Sequence, residues 1–216
     1  MSTIAIFGAH GQVGRLTTRA LASAGHTVLA AIRNPDHRND VEDDGGTAII
    51  LDLERATPSD VAEAIRGADS AIFTAGSGAG SGPQRKDSLD RAGALLAMEA
   101  SALADIVRFV QVSYLGADEP SAPGTSPDMV AYQQAKHAAD EALRASTLRW
   151  TIVRPGLLND NPATGRVTIG ENVYEGTTSR ANTAALLALL ATTDRAVGHV
   201  VNVIDGDTLL EDVTPR

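Results

Sequence analysis

The sequence contains no cysteine, so it has no disulfide, no thiolate metal site and no cysteine nucleophile. Aromatic side chains are scarce. Three Phe, three Tyr and Trp150 are scattered along the chain, too few to build a stacking platform for single-stranded nucleic acid. Basic charge is in short supply as well: 18 Lys and Arg stand against 27 Asp and Glu, a formal net charge of -9 with no basic run. That balance argues against a phosphate-tracking surface and leaves nucleic acid out as a partner. Long apolar runs are also missing. The longest, 184–191, is far shorter than the roughly 20 residues of a membrane helix. The chain passes from Met1 into the apolar residues 4–7 without a basic leader. Together these features predict a soluble, cytoplasmic protein with no membrane partner.

What is present is an ordinary globular composition, 43% hydrophobic and 21% charged over 216 residues, enough for one domain with a single core. Apolar runs alternate with helix-period segments, the pattern of an α/β, Rossmann-like doubly wound parallel sheet with helices on both faces. About seven strands are expected, at 3–7, 27–32, 48–52, 70–74, 108–113, 150–154 and 200–204. Helices are expected at 13–24, 58–66, 87–103, 127–145 and 180–192. The second has a clear start, with Thr57 as N-cap, Pro58 in the first helical position and Asp60 following. Three stretches break the rhythm: the Gly-Ser-Gly-Ala-Gly-Ser-Gly run at 76–82, the proline-rich 120–127, and 157–178, which is expected to form a small C-terminal substrate loop.

Between the first strand and first helix stands Gly8-Ala9-His10-Gly11-Gln12-Val13-Gly14. Three glycines spaced by three in a strand-turn-helix unit serve a tight turn, backbone approach to a pyrophosphate, and close helix-strand packing. The turn from Gly8 to Gly14, with His10, Gln12 and Val13, is therefore a candidate dinucleotide cradle, although His10 also reads as a solvent-facing loop residue. Arg33 follows the second strand where an acidic residue selects NAD and an arginine accommodates the 2'-phosphate of NADP. One such charge-assisted bond is worth about 1.5–3 kcal/mol. Arg38 reads as a solvated loop arginine. Asp52 and Leu53 end the third strand, where they meet the adenine or, for Asp52, cap a turn. The small residues Thr74, Ala75 and Gly76 let the fourth strand pass close to the cofactor.

These residues, with Tyr132-Gln133-Gln134-Ala135-Lys136, make the chain resemble a short-chain dehydrogenase/reductase. It is most similar to the atypical branch of NAD(P)H-binding proteins and NAD(P)-dependent epimerase-like proteins. The likeness spans the whole chain, including Val153-Arg154-Pro155-Gly156 and Asn202-Val203-Ile204-Asp205-Gly206. It implies that Tyr132 is the proton donor and that Lys136, on the same helix face, lowers the tyrosine pKa and binds the nicotinamide ribose. It further implies that Ser113 holds the substrate oxygen, with Tyr114 where relatives carry a second serine. Asp90 stands in place of the family's Asn, either in the catalytic set or as a helix-orienting carboxylate, and Pro155 lies beside the cofactor. His26, His137 and His199 show no metal-ligand spacing, so no metal is expected.

The expected function is an NADPH-dependent oxidoreductase acting on a small carbonyl, quinone or similar acceptor. A catalytically silent NADP sensor and a nucleotide-sugar epimerase are the alternatives. The partner is a small-molecule substrate, with a homodimer as one possible assembly.

Overall fold

The computed structural model describes residues 1–78, 80–170 and 173–212; one residue of the 76–82 loop and two of the 157–178 stretch therefore lie outside the described residues. Seven parallel strands form its centre: β1 (Thr3–Phe7), β2 (Thr27–Ile32), β3 (Thr47–Ile50), β4 (Ser70–Phe73), β5 (Arg108–Val112), β6 (Arg149–Pro155) and β10 (His199–Asp205). They run in the order β10-β6-β5-β4-β1-β2-β3, with Phe7 opposite Ala31 on one side and Phe73 on the other. These are the seven strands expected from sequence.

Among the described residues the main sheet has nine strands rather than seven. β8 (Arg166–Ile169) pairs antiparallel with β10, and β11 (Thr208–Leu209) pairs antiparallel with β8. β7 (Leu157–Asn159) and β9 (Thr177–Ser179) form a separate parallel pair. All four are two to four residues long and arise largely within the stretch expected to be loop. Such short segments carry too few residues to show a period.

The helices are α1 (Gln12–Ser23), α2 (Arg38–Asp43), α3 (Pro58–Ala64), α4 (Pro83–Arg85), α5 (Ala92–Leu103), α6 (Pro127–Arg144) and α7 (Arg180–Ala191). α2 was not expected; it follows a 3-10 turn at Pro35–His37 whose Asp36 amide donates to the Asn34 side chain. The expected helix at 87–103 is composite. α4 leads into a π-helical stretch, Lys86–Arg91, and only then into α5. At α3 the Thr57 hydroxyl accepts from the Asp60 amide and the Asp60 carboxylate accepts from the Thr57 amide, a capping box.

Alternation along each strand sends its side chains to opposite faces. Ile4 and Ile6 of β1 join Leu21 of α1 and Leu186, Leu187 and Leu190 of α7 in one core. Ala5 and Phe7 join Val61, Ile65, Ala97 and Leu143, from α3 to α6, in the other. Burial on both faces explains why the strands read as continuous apolar runs. From β1 the chain moves outward to β2 and β3, then returns to the other side of β1 as β4. This reversal opens a crevice at the carboxyl ends of β1 and β4, the location where open α/β sheets bind ligands.

Candidate functional site

The glycine turn sits in this crevice. Gly8 has φ +82°, and a Cβ there would lie 2.6 Å from the Cα and N of Ala75. A Cβ on Gly14 would lie 2.4 Å from the Gly8 carbonyl oxygen and 2.9 Å from Ala9 Cα. Only glycine fits at either place, and both contacts are with backbone that cannot swing aside. Gly11 is the N-cap of α1, and neither a side-chain cap nor an acidic first-turn residue answers the exposed amides. The start of α1 therefore offers free N–H donors and partial positive charge to an anion. Thr74 ties β4 to β1, its hydroxyl donating to the Phe7 carbonyl at 3.0 Å.

Two cavities flank the turn and share Gly11, Thr74, Ala75 and Gly76. The smaller, about 270 Å³, lies over the ends of β2 and β3, lined by Arg33, Asp52, Leu53, Glu54 and Arg85 among others. Arg33 donates to Glu54 at 3.2 Å; Arg85 reaches the same oxygen at 3.4 Å and the Ser88 hydroxyl donates to the other at 2.6 Å. The Ser88 bond, followed by Arg85 and Arg33, holds the Glu54 carboxyl below its ordinary value. Asp52 forms a turn, accepting from the Glu54 amide at 3.1 Å, while still lining the cavity. His10 also lines it but is not a free loop histidine. It stacks on His37 at 3.5 Å and bonds Asp40 at 2.8 Å. Arg38 points to Glu42 instead.

The larger cavity, about 630 Å³, includes Gln12, Val13 and Gly14 on one side and Asp90, Ser113, Tyr132 and Lys136 on the other. The sequence thus named residues that the fold gathers around one space, but their bonding differs from expectation. Lys136 is 3% exposed and donates to the Val112 carbonyl at the end of β5. Its pKa is pulled down by burial. The Tyr132 phenol is raised, by burial first and then by the negative charge of Asp90, rather than lowered by Lys136. Asp90, 1% exposed, accepts from the Ser77 amide at 3.1 Å and so anchors the glycine-rich loop.

Ser113 borders the cavity, yet its hydroxyl proton goes to Asp140 at 2.8 Å. Asp140 is fully buried and also accepts from Gln111 at 2.7 Å and from Arg154 at 2.7 and 3.1 Å. Arg154 in turn grips Asp118 with two bonds of 2.7 Å. Tyr114 lies behind Tyr132, ring centroids 5.2 Å apart, with its hydroxyl donating to the Gly116 carbonyl at 3.2 Å. Pro155 lines neither cavity. It is a buried residue of β6 whose carbonyl accepts from the Leu115 amide.

Lys86, Arg85, Glu54 and Asp140 were not singled out from sequence. Lys86 and Asp90, four apart, face the larger cavity, while Arg85 and Leu89, also four apart, face the smaller. Residues 83–91 thus lie across the junction of the two. Among the described residues no three His, Asp or Glu side chains gather as a metal site, and no helix is long and apolar enough to cross a membrane.

A bare helix N-terminus, glycines that admit no Cβ and a crevice in two joined parts fit an extended dinucleotide, the mark of a Rossmann-type nucleotide-binding protein. The chain belongs to the NAD(P)H-binding family, whose profile matches residues 8–194. It is 34% identical to the uncharacterized sugar epimerase YhfK of Bacillus subtilis, across 98% of both chains. Its fold matches a Bacillus halodurans protein provisionally described as an NAD-dependent epimerase/dehydratase, with TM-score 0.89 and 29% identity over 97% of each chain. It also matches the anaerobillin reductase ChuY of Escherichia coli O157:H7, with TM-score 0.76 and 27% identity over the full length of both. The fold is that of an NAD(P)H-binding, oxidoreductase-like protein, and its cofactor is a nicotinamide dinucleotide.

Proposed function

We propose that the protein is an NADPH-dependent oxidoreductase that reduces a small carbonyl, quinone or similar acceptor. The observation that carries this reading is the gathering of Tyr132, Lys136 and Asp90 around a cavity continuous with the glycine turn. A bound nicotinamide supplies the hydride. Tyr132 gives its phenolic proton to the acceptor oxygen, and its raised pKa keeps that proton in place at neutral pH. Lys136 turns from the Val112 carbonyl toward the ribose hydroxyls, and the Ser113 oxygen, its proton held by Asp140, orients the acceptor. Gly8, Gly11, Gly14 and the amides of Gln12 and Val13 hold the pyrophosphate. Arg33 exchanges Glu54 for the 2'-phosphate, and Asp52 and Leu53 meet the adenine. Leu158, from the C-terminal stretch of a single domain, borders the cavity on the substrate side.

A catalytically silent NADP sensor is the second reading, favoured by the bond of Lys136 to Val112. The name of the Bacillus subtilis relative also keeps an epimerase in view. The test is NADPH oxidation against carbonyls, quinones and flavins, with NADPH and NADH binding measured in parallel. Turnover lost in Tyr132→Phe with NADPH affinity retained supports the enzyme. Tight binding without turnover of any acceptor supports the sensor. Arg33→Glu is expected to abolish or invert the NADPH preference, and equal NADPH and NADH affinities in both proteins would overturn the role of Arg33.

A further inference from the structure

We propose that Lys86 forms an anion subsite in the larger cavity, so that the substrate is an oxo acid whose carboxylate lies close to the carbonyl served by Tyr132. This rests on the carbonyl-reductase reading above. Lys86 is 4% exposed and lines the cavity. Its ammonium donates to the Gly78 carbonyl at 2.6 Å and lies 5.2 Å from the centre of the Tyr132 ring. Among the described residues no carboxylate comes within 4.0 Å of it. An ammonium has three donors, and here one is used. Burying a charge without a counter-ion is costly unless a ligand supplies one.

Among the other charges of the cavity wall, Asp128 keeps one buried carboxylate oxygen without a partner among the described residues, and the rest are engaged. Asp90 accepts from the Ser77 amide, Arg180 pairs with Asp160 at 2.8 Å, and Lys136 donates to Val112. Lys86 and Lys136 are both buried ammonium groups with donors to spare on this wall, and with Lys136 given to the ribose hydroxyls in the reading above, Lys86 is the one left for a substrate anion. Lys86 and Asp90, four residues apart, both face the cavity from a π-helical stretch, and such stretches recur at functional sites.

A substrate joining the two groups places its carbonyl oxygen at the Tyr132 hydroxyl and its carboxylate on Lys86. Hydride from NADPH adds to the carbonyl carbon, and the C=O π pair takes the Tyr132 proton. A hydroxy acid and NADP are formed, the carboxylate is unchanged, and the phenolate regains its proton from water.

The experiment compares phenylglyoxylate with its methyl ester, using NADPH and the full chain as wild type, Lys86→Met and Lys86→Arg. The readout is the ratio of kcat/KM for acid over ester. Loss of a charge-assisted bond predicts that this ratio falls about 10- to 100-fold in Lys86→Met and recovers most of the way in Lys86→Arg. An unchanged ratio, or equal losses on acid and ester, overturns the subsite. If the wild type reduces neither compound nor any other acceptor, the reductase reading fails by itself. The subsite is then read by calorimetry of mandelate and mandelamide on the NADP-loaded protein. Mandelate binding that disappears in Lys86→Met and returns in Lys86→Arg supports it, and equal binding of acid and amide overturns it. Circular dichroism of each variant establishes folding, and Lys86→Gln replaces Lys86→Met if the latter does not fold.

Discussion

Replacing Asp140 with alanine removes a fully buried carboxylate that accepts four hydrogen bonds, one from Gln111, one from Ser113 and two from Arg154. The Gln111 amide and Ser113 hydroxyl are left without their acceptor, at about 1–3 kcal/mol for each unsatisfied buried group. Arg154 keeps only Asp118, which is 42% exposed and screened by water. Breaking a buried ion pair by deleting one partner costs about 3–5 kcal/mol, and the surviving Asp118 contacts place Asp140→Ala within that range. For a chain of this size each kcal/mol lowers Tm by about 2–4 °C, so a drop of roughly 6–20 °C is expected. Asp140→Asn keeps the volume and an acceptor, and loses less. Urea denaturation with scanning calorimetry measures both variants. NADPH titration of the folded fraction shows whether the effect stays local, since Asp140 touches neither the glycine turn nor the β2 end. A loss below about 1 kcal/mol for Asp140→Ala would mean that the network is worth no more than its replacement by solvent.

Gly14→Ala is expected to weaken NADPH binding at least about tenfold in a fluorescence titration. The helix propensity gained, about 1 kcal/mol, is outweighed by the overlap of the new methyl with the Gly8 carbonyl. Unchanged affinity would refute the close packing of α1 on the turn. Asp118 is held below the ordinary carboxylate range, mainly by its bond to Arg154. A native pKa depressed below an unfolded value near 3.9 gives stability that is present above about pH 4 and lost as pH falls toward the native pKa. Urea midpoints from pH 5 to 2 should therefore decline less steeply in Asp118→Asn than in wild type, and parallel curves would refute the assignment. Tyr132, raised by burial, should remain a phenol through about pH 10. A difference titration of wild type against Tyr132→Phe at the phenolate absorbance checks this, and ionisation near pH 7–8 in the free protein would contradict it.

The seven central strands were legible because burial on both faces makes each a continuous apolar run. The glycine turn was legible because its spacing answers three separate steric demands. The capping box at Thr57 and Asp60 could be read locally, since both partners lie within four residues. What escaped was of two kinds. The expected helix at 87–103 began after Lys86, so the earlier start of the helical segment, and with it the shared wall of Lys86 and Asp90, was not legible. Long-range charge pairing was also hidden. Nothing local to Arg33 announces Glu54, and nothing local to Ser113 announces Asp140, because these meet only when separate strand ends and helices come together. Lys136 illustrates the same limit: its spacing from Tyr132 is readable and both line the larger cavity, while its bond to Val112 depends on where β5 ends.

The position of residues 83–91 across both halves of the crevice has a thermodynamic consequence. Arg85 lines the smaller cavity and its chain neighbour Lys86 the larger, so on the proposed reading a ligand that moves this segment in one cavity is expected to be felt in the other. Affinities at two sites joined in this way are reciprocal: whatever factor the dinucleotide applies to the binding of the second ligand, that ligand applies to the dinucleotide. Because Arg85 bonds Glu54 and Lys86 bonds the Gly78 carbonyl, the starting state of this linkage is set by two contacts, one in each cavity.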